Sequence, residues 1–158
     1  MSRLRRPLPI SRTRALAGLG LALALPVSAA DAGAQTRMLR APTVSATEIA
    51  FAYAQNIWVV SRAGGTAQML TAFQGQASDP HFSPDGKLIA FTANYAGNAD
   101  VYVVPATGGE PKRLTWHPGN DEVTGWTPDG KRVVFSSGRA TEAPTGAPRF
   151  WTISVDGG

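Results

Sequence analysis

A five-residue turn motif occurs twice in this chain, 44 residues apart. Ser-Pro-Asp-Gly-Lys at 83–87 returns as Thr-Pro-Asp-Gly-Lys at 127–131. A period of 40 to 45 residues that carries several short strands is typical of the blades of a β-propeller. Three further segments recur at the same offset, namely Ile57–Val60 as Val101–Val104, Gly64-Gly65 as Gly108-Gly109, and Leu70-Thr71 as Leu114-Thr115. The repeat therefore predicts an all-β fold, a partial β-propeller.

The second repeat, residues 77–118, predicts four strands of one blade. Strands are expected at 79–83, 87–92, 101–104 and 110–115, with burial falling from the first strand to the fourth. Pro84 and Gly86 favour a tight turn between the first two, because proline fixes φ and glycine accepts a positive φ. Pro111, Lys112 and Arg113 suit an outer edge strand, where they discourage pairing with other chains.

The other two repeats follow the same plan with changes in the loops. The first, residues 42–76, lacks a few residues at its turns, and the third, residues 121–158, has a longer loop at 136–149. The third repeat has no counterpart of the fourth strand. We therefore predict about three four-stranded blades, the last incomplete, in a chain that is a fragment of a longer propeller.

The amino terminus predicts a bacterial signal peptide over residues 1–34. Five arginines precede an apolar run, Ala15–Leu25, which is too short to span a bilayer as a helix, and Pro26 follows it. Cleavage is expected after Ala34, or alternatively after Ala29, and an uncleaved membrane anchor is the other alternative. Residues 35–41 are then a linker, and the mature protein is expected in the periplasm.

The positive charge of the whole chain comes from this leader. The chain has 15 Lys and Arg against 11 Asp and Glu, and residues 1–34 hold five of the arginines and one of the aspartates. The predicted mature chain is neutral, so its charge favours neither nucleic acid nor a membrane surface as a partner. The absence of cysteine means that burial alone must stabilise the fold.

The sequence predicts no catalytic, cofactor-binding or metal site. His81 and His117 are the only histidines and occupy different positions in the repeat, which does not favour a metal site. Ser83 lies near Asp79 and His81 in the sequence, but closeness in sequence is not the geometry of a catalytic triad. The Asp-Gly turns have too few acidic residues for a calcium loop, and the Gly-Gly pairs lack the context of a phosphate site.

The four tryptophans and one long loop are the remaining candidates for exposed or binding elements. Trp58, Trp126 and Trp151 are expected in the core or between blades, whereas Trp116, just after an outer strand, is the one most expected to be exposed. The loop at 136–149, rich in Pro, Gly and Thr, is the loop most worth following as a binding element, although its composition favours a plain surface loop.

The second repeat resembles the periplasmic TolB-type propeller repeat, also called the WD40-like PD40 repeat. The resemblance covers residues 42–158 and rests on Phe82–Lys87, Asp100–Val104 and Arg113–Thr115. A narrower similarity, carried by Leu114–Asp121 and Gly125–Lys131, is to the amino-terminal end of tricorn-protease homologues. These are large serine peptidases in which propellers precede a PDZ-like domain and a distant catalytic core, none of which has a counterpart here.

The resemblance implies a non-catalytic propeller segment of an exported tricorn-like serine peptidase. It would gate or position peptides for a catalytic domain outside this chain. The alternatives are a TolB-like periplasmic protein-binding propeller without enzyme activity, and a truncated gene product. Expected partners are the remaining blades and a peptidase domain, or peptide and protein ligands. The open end of the array also predicts marginal folding or self-association, because its apolar flank lacks a neighbouring blade.

Overall fold

The computed structural model describes residues 39–72, 74–139 and 147–157, and these residues form three antiparallel sheets. The predicted signal peptide, most of the linker and the middle of the loop at 136–149 lie outside the described residues. No helix among the described residues is long and apolar enough to cross a membrane. The all-β class and the blade-like sheets are confirmed.

The strands follow each other in order within each sheet, as in a meander. The first sheet contains β1 (Arg40–Val44), β2 (Glu48–Tyr53), β3 (Asn56–Ser61) and β4 (Gln68–Met69). The second contains β5 (Gln76–Phe82), β6 (Leu88–Asn94), β7 (Asp100–Pro105) and β8 (Lys112–Arg113). The third contains β9 (Asp121–Trp126), β10 (Arg132–Ser137) and β11 (Arg149–Ser154), so the last blade has three strands among the described residues.

The main differences from the predicted strand bounds are at β5, β8 and β1. β5 begins at Gln76, three residues earlier than expected, because Gln76 and Ala77 pair with Asn94 and Ala93 of β6. β8 is only two residues long, since Pro111 has no N–H to donate to a ladder. β1 likewise begins at Arg40, within the segment that the sequence predicts as a linker.

Burial does not fall steadily from the first strand of the blade to the fourth, and that prediction is wrong. The middle strands β6 and β7 are almost wholly buried, whereas β5 alternates between buried and half-buried residues and β8 is largely open. The middle strands have a neighbour on each side in their own sheet and a neighbouring sheet on each face. β5 has no neighbour on one side within its sheet.

Two apolar clusters lie between successive sheets. The first joins Ala50, Ile57 and Val59 of the first sheet to Phe91 and Tyr102 of the second. The second cluster joins the opposite face of the second sheet to the third sheet through Ala90, Val101, Val103, Val123, Val133 and Phe135. Because β6 and β7 contribute to both clusters, they carry apolar residues on both faces, as their sequences predict.

The Pro-Asp-Gly turns close the β5–β6 and β9–β10 hairpins. Gly86 and Gly130 have φ of 73° and 68°, which confirms the predicted positive φ. The carboxylate of Asp85 accepts hydrogen bonds from the Ser83 hydroxyl at 2.7 Å and the Lys87 N–H at 3.1 Å. These bonds lower the pKa of Asp85, and the matching bonds of Asp129 act in the same direction. The motif is therefore a turn, as predicted.

Candidate binding groove

The first strand of every sheet contains an irregularity in its pairing. The register with the second strand shifts between Arg40 and Thr43 in β1 and between Ser78 and His81 in β5, and opposite Val134 and Phe135 in β9. A β-bulge of this kind bends a strand and changes the direction of its side chains. In β5 the bulge contains Asp79, whose φ is 50°, a backbone conformation that aspartate tolerates better than most residues.

The bulge of β5 lies in the wall of an open groove. The groove has a volume of about 540 Å³ and runs between the start of β5 and the turn that joins β2 to β3. Ala54 and Gln55 in that turn have φ of 47° and 67°, and the Gln55 carbonyl accepts a hydrogen bond from the Ala77 N–H at 2.8 Å. The turn is thus fixed against β5. The lining side chains include Arg40, Tyr53, Gln55, Gln76, Ser78 and Asp79.

A smaller depression of about 190 Å³ shares Gln76, Ser78 and Asp79 with this groove. Its other side is formed by Thr92 and Asn94 of β6, by Ala99 just before β7, and by Glu122 of β9. The two depressions therefore meet along the start of β5, and together they are called the β5 groove below. It is lined by side chains from all three sheets.

The β5 groove is polar and has carboxylates at its centre and on one side. The Ser78 hydroxyl donates to Asp79 Oδ2 at 2.8 Å, so the hydroxyl is held by a carboxylate and not by a histidine. Glu122 is exposed, and Arg40 brings a positive charge to the far side. Side-chain amides, a hydroxyl and carboxylates of this kind can hydrogen-bond the backbone of an extended peptide or another polar ligand.

His81 lies two residues beyond Asp79 in β5 and is half-buried. Burial lowers the pKa of His81, and the nearby Asp79 carboxylate partly opposes this shift. The lowered pKa favours the neutral form of the ring at pH 7. His81 also receives a hydrogen bond on its carbonyl from Trp126 Nε1 at 2.9 Å, which ties the second sheet to the third. These contacts of His81 are structural.

The remaining sequence candidates also have structural contacts. The Ser83 hydroxyl donates to Asp85 and accepts from the Leu88 N–H at 3.0 Å, so it closes the turn. His117 lies in the β8–β9 loop, where Nδ1 accepts from the Gly119 N–H. Among residues 39–72, 74–139 and 147–157, no group of three potential His, Cys, Asp or Glu ligands lies close enough to hold a metal ion.

The tryptophans follow the prediction with one difference. Trp116 is 61% exposed, and Trp126 and Trp151 pack against the cluster between the second and third sheets. Trp58 is only half-buried and packs edge-on against Tyr53, with ring centroids 6.0 Å apart. It lies on the face of the first sheet that points away from the second.

The sequence did not identify the groove residues. Gln76, Ser78, Asp79 and Glu122 belong to two strands 40 residues apart, and only the packing of sheets brings them together. One sequence signal was present, because Gln76–Asp79 is a polar stretch at the start of a repeat whose later strands are apolar.

The fold and the groove define this chain as a segment of a β-propeller with a polar groove at the start of an inner strand. The family model for the tricorn protease N-terminal β-propeller domain matches residues 36–158. The chain belongs to that family.

Solved structures agree with this assignment. The TolB structure from Acinetobacter baumannii is 30% identical, with a TM-score of 0.61 over 75% of this chain and 30% of its own. A putative TolB from Agrobacterium tumefaciens is 26% identical, with a TM-score of 0.59 over 70% of this chain and 40% of its own. The tricorn protease superposes with a TM-score of 0.64 at 24% identity, over 75% of this chain and 12% of its own, and so supports the fold alone. No curated protein matches. The chain spans well under half of each of these three structures.

Proposed function

We propose that this chain is a propeller segment of an exported, tricorn-like serine peptidase, in which it binds and positions peptides for a catalytic domain outside the chain. The observation that carries the proposal is the match of residues 36–158 to the tricorn N-terminal propeller family. Propellers hold ligands at the ends of their blades and in their central channel, and they separate binding from chemistry.

The β5 groove supports a peptide as the ligand. The larger of its two depressions has a volume of about 540 Å³, which falls in the usual range for small-ligand sites, about 300 to 1,000 Å³. Gln55, Gln76 and Ser78 supply donors and acceptors for a peptide backbone, while Asp79 and Glu122 would attract the amino group or a basic side chain of the peptide.

The proposal that the protein is exported rests on the predicted signal peptide, residues 1–34. The arginine-rich stretch, the short apolar run Ala15–Leu25 and the small residues before Gln35 together support secretion to the periplasm. Amino-terminal sequencing of the purified protein tests this step, and the proposal expects a mature chain that begins at Gln35. A mature chain that retains Met1 would contradict it.

The decisive experiment uses the complete product of the gene, read beyond the codon for Gly158. We expect further propeller repeats and a peptidase region, and peptide hydrolysis that a serine-directed fluorophosphonate abolishes. Gln76→Arg, which fills the β5 groove, should raise KM with little change in kcat. Gln68→Arg is the matched control, because Gln68 is also exposed but lies in the outer strand β4. Equal effects of the two substitutions would exclude the groove as the peptide site.

The second candidate is a TolB-like binding module without enzyme activity. This candidate is favoured by the 30% sequence identity to a TolB structure and by the polar groove. If this candidate is correct, the coding sequence ends after further blades and the protein binds a peptide or another protein without turnover. A stop codon immediately after Gly158 would instead favour a truncated gene product.

A further inference from the structure

One position of the first strand lines the β5 groove in all three sheets. The position is identified by its partner in the second strand of the same sheet. It holds Arg40 opposite Ala52 in the first sheet, Ser78 opposite Thr92 in the second, and Glu122 opposite Ser136 in the third. We call Arg40, Ser78 and Glu122 the charge row, because it runs from a cation through a hydroxyl to a carboxylate.

The charge row gives the β5 groove a direction. Arg40 lines the larger depression, Glu122 lines the smaller one, and Ser78 lines both. Asp79 follows Ser78 and also lines both depressions, so it adds a second carboxylate between the two ends. The groove is therefore positive on the side of the first sheet, and negative from β5 to the third sheet.

No partner within the described part of the chain neutralises these charges. The ion pairs among the described residues are Lys87 with Asp85, Arg113 with Asp100 and Arg139 with Asp121, and none of them includes Arg40, Asp79 or Glu122. Arg40 and Glu122 are exposed, and Asp79 is half-buried. Two carboxylates without a cation in one depression attract a cationic ligand.

The bulge of β5 does not require the carboxylate of Asp79. The matching residue of β1 is Ala41, which lies in the equivalent bulge and has a φ of 46°, against 50° for Asp79. Each of the two is followed by a proline, Pro42 or Pro80. Because an alanine forms the same bulge, the fold alone does not account for an acid at this position, and a residue with positive φ beside a groove points to a binding role.

A buried hydroxyl adds a donor to the smaller depression. Thr92 is only 5% exposed and lines this depression. Its Oγ1 accepts a hydrogen bond from the Val123 N–H at 2.9 Å, while its own proton has no acceptor among the described residues. Since a buried donor without an acceptor is unfavourable, a carbonyl oxygen of a ligand in the depression would stabilise this hydroxyl.

We propose that the β5 groove binds a peptide through a primary ammonium group, which lies between Asp79 and Glu122 while the peptide runs toward Arg40. Arg40 repels the ammonium group and donates hydrogen bonds to carbonyl oxygens of the peptide, so the charge row sets the direction of binding. The ammonium group belongs to the amino terminus of the peptide or to a lysine side chain. The inference rests on the proposed function for the peptide nature of the ligand, but not for its cleavage.

Three synthetic peptides test the ammonium group. Isothermal titration calorimetry uses the complete gene product, treated with a fluorophosphonate so that no peptide is cleaved. The peptides are tetra-alanine, N-acetyl-tetra-alanine and N-acetyl-lysyl-trialanine. We expect acetylation of tetra-alanine to weaken binding about tenfold or more, because it removes the charge. Equal binding of tetra-alanine and its acetylated form, or no binding of either ammonium-bearing peptide at millimolar concentration, would overturn the proposal.

The lysyl peptide identifies the source of the ammonium group. If it binds as tightly as tetra-alanine, the groove accepts a lysine side chain. If it binds as weakly as N-acetyl-tetra-alanine, the groove requires the amino terminus. Both results support recognition of an ammonium group, provided that tetra-alanine binds more tightly than its acetylated form.

Two conservative substitutions assign the ammonium group to the carboxylates. Asp79→Asn keeps an acceptor for Ser78 and tolerates the positive φ, and it should weaken tetra-alanine about tenfold. Glu122→Gln should weaken it about threefold, because Glu122 is exposed. Asp79→Ala copies Ala41 of the first sheet and is the second variant at this position. Glu110→Gln is the matched control, since Glu110 is also exposed but lies between β7 and β8.

The comparison of the two alanine peptides makes the assignment specific. Asp79→Asn should leave the binding of N-acetyl-tetra-alanine nearly unchanged, because that peptide has no charge for the carboxylate to bind. Circular dichroism verifies that each variant folds. Equal weakening of both peptides by Asp79→Asn, or a loss of tetra-alanine binding in Glu110→Gln as large as in Asp79→Asn, would contradict the assignment.

A titration with calcium chloride tests the competing ligand. Calcium binding that Asp79→Asn abolishes would assign the carboxylates to a metal ion and overturn the proposal. The outcome for the peptidase is separate. Binding that depends on the ammonium group without any peptide hydrolysis by the untreated protein would contradict the proposed peptidase and support this inference. Hydrolysis together with binding that ignores acetylation would support the peptidase and overturn this inference.

Discussion

The first and second sheets stabilise the same position of the repeat with different chemistry. In the second sheet, the Thr115 hydroxyl donates to Asp100 Oδ1 at 3.1 Å and accepts from the Val101 N–H at 3.0 Å, and Arg113 binds Asp100 Oδ2 at 2.6 Å. In the first sheet, the Thr71 hydroxyl donates to Asn56 Oδ1 at 3.1 Å and accepts from the Ile57 N–H at 3.0 Å. Met69 stands where the second sheet has Arg113.

The difference shows that the threonine bridge does not require charge. The two distances are the same in both sheets, although one acceptor is a carboxylate and the other an amide. The acid and the cation change together between the two sheets. A fully buried aspartate such as Asp100 needs a cation, whereas the asparagine of the first sheet carries no charge and needs none. Removing one partner of the charged pair should therefore lower the free energy of unfolding more than removing a partner of the neutral pair.

The largest effect is expected when the cation of the Asp100–Arg113 pair is removed. Arg113→Met gives the second sheet the residue of the first, but it leaves the Asp100 carboxylate buried without its cation. We expect a loss of about 3–5 kcal/mol in the free energy of unfolding. Asp100→Asn with Arg113→Met copies the first sheet completely and should recover most of the loss. Urea unfolding at one fixed protein concentration measures both, and failure of the double variant to recover stability would contradict the equivalence.

The threonine bridges are expected to differ in strength by a smaller amount. Thr115→Val leaves the Val101 N–H and a carboxylate oxygen without their partner and should cost about 2–3 kcal/mol, whereas Thr71→Val should cost about 1–2 kcal/mol, because its acceptor is neutral. Thr115→Ser and Thr71→Ser keep the hydroxyl and serve as matched controls. Equal losses for the two valine variants would mean that charge adds nothing to the bridge.

The turns of the second and third sheets allow a finer comparison. A Cβ at Gly86 would meet Cβ of Ser45, in the turn between β1 and β2, at 3.2 Å, whereas a Cβ at Gly130 would meet Pro84 at 3.5 Å, an ordinary contact. Both glycines have positive φ, so alanine costs about 1 kcal/mol at either. We expect Gly86→Ala to cost up to about 1 kcal/mol more than Gly130→Ala, as measured by thermal unfolding, and the reverse order would be inconsistent with the contact to Ser45.

The smallest expected effect is a gradual change in the free energy of unfolding with pH. Burial raises the pKa of Asp100, aided by the nearby Asp121 carboxylate and opposed by Thr115 and Arg113. A raised pKa of an acid in the folded state gives a contribution to stability that is complete below the unfolded pKa, about 3.9. That contribution is lost as pH rises through the folded pKa.

The double variant Asp100→Asn, Arg113→Met isolates this contribution, since the other carboxylates are common to both proteins. The stability of the wild type relative to the double variant should fall as pH rises from about 3.9 through the raised pKa of Asp100. Urea unfolding across this range measures the difference, and a difference that does not change with pH would contradict the raised pKa.

Much of the fold could be predicted from the repeat. The apolar strands β6 and β7, the Pro-Asp-Gly turns and the exposure of Trp116 all followed from residues within one repeat. Local patterns determine these features, because alternation and turn chemistry act over a few residues. The early start of β5 was missed, since its first residues are polar and pair only because β6 extends beside them.

The candidate site could not be predicted in the same way. The β5 groove depends on the bulge at Asp79 and on Gln55, Gln76 and Glu122 meeting from three sheets. The pairing of Asp100 with Arg113 is similar, because the two residues are 13 positions apart and meet only when β7 pairs with β8.

The sequence by itself determined the period, and through the period the class of fold, the order of strands in each sheet and the family. Each of these depends on local spacing of apolar, turn and edge residues, which a chain carries before it folds. The tertiary structure alone decided which polar side chains share the β5 groove and which cations pair with the buried Asp100 and Asp121. These features depend on distances between residues far apart in sequence, and only the packing of sheets sets those distances.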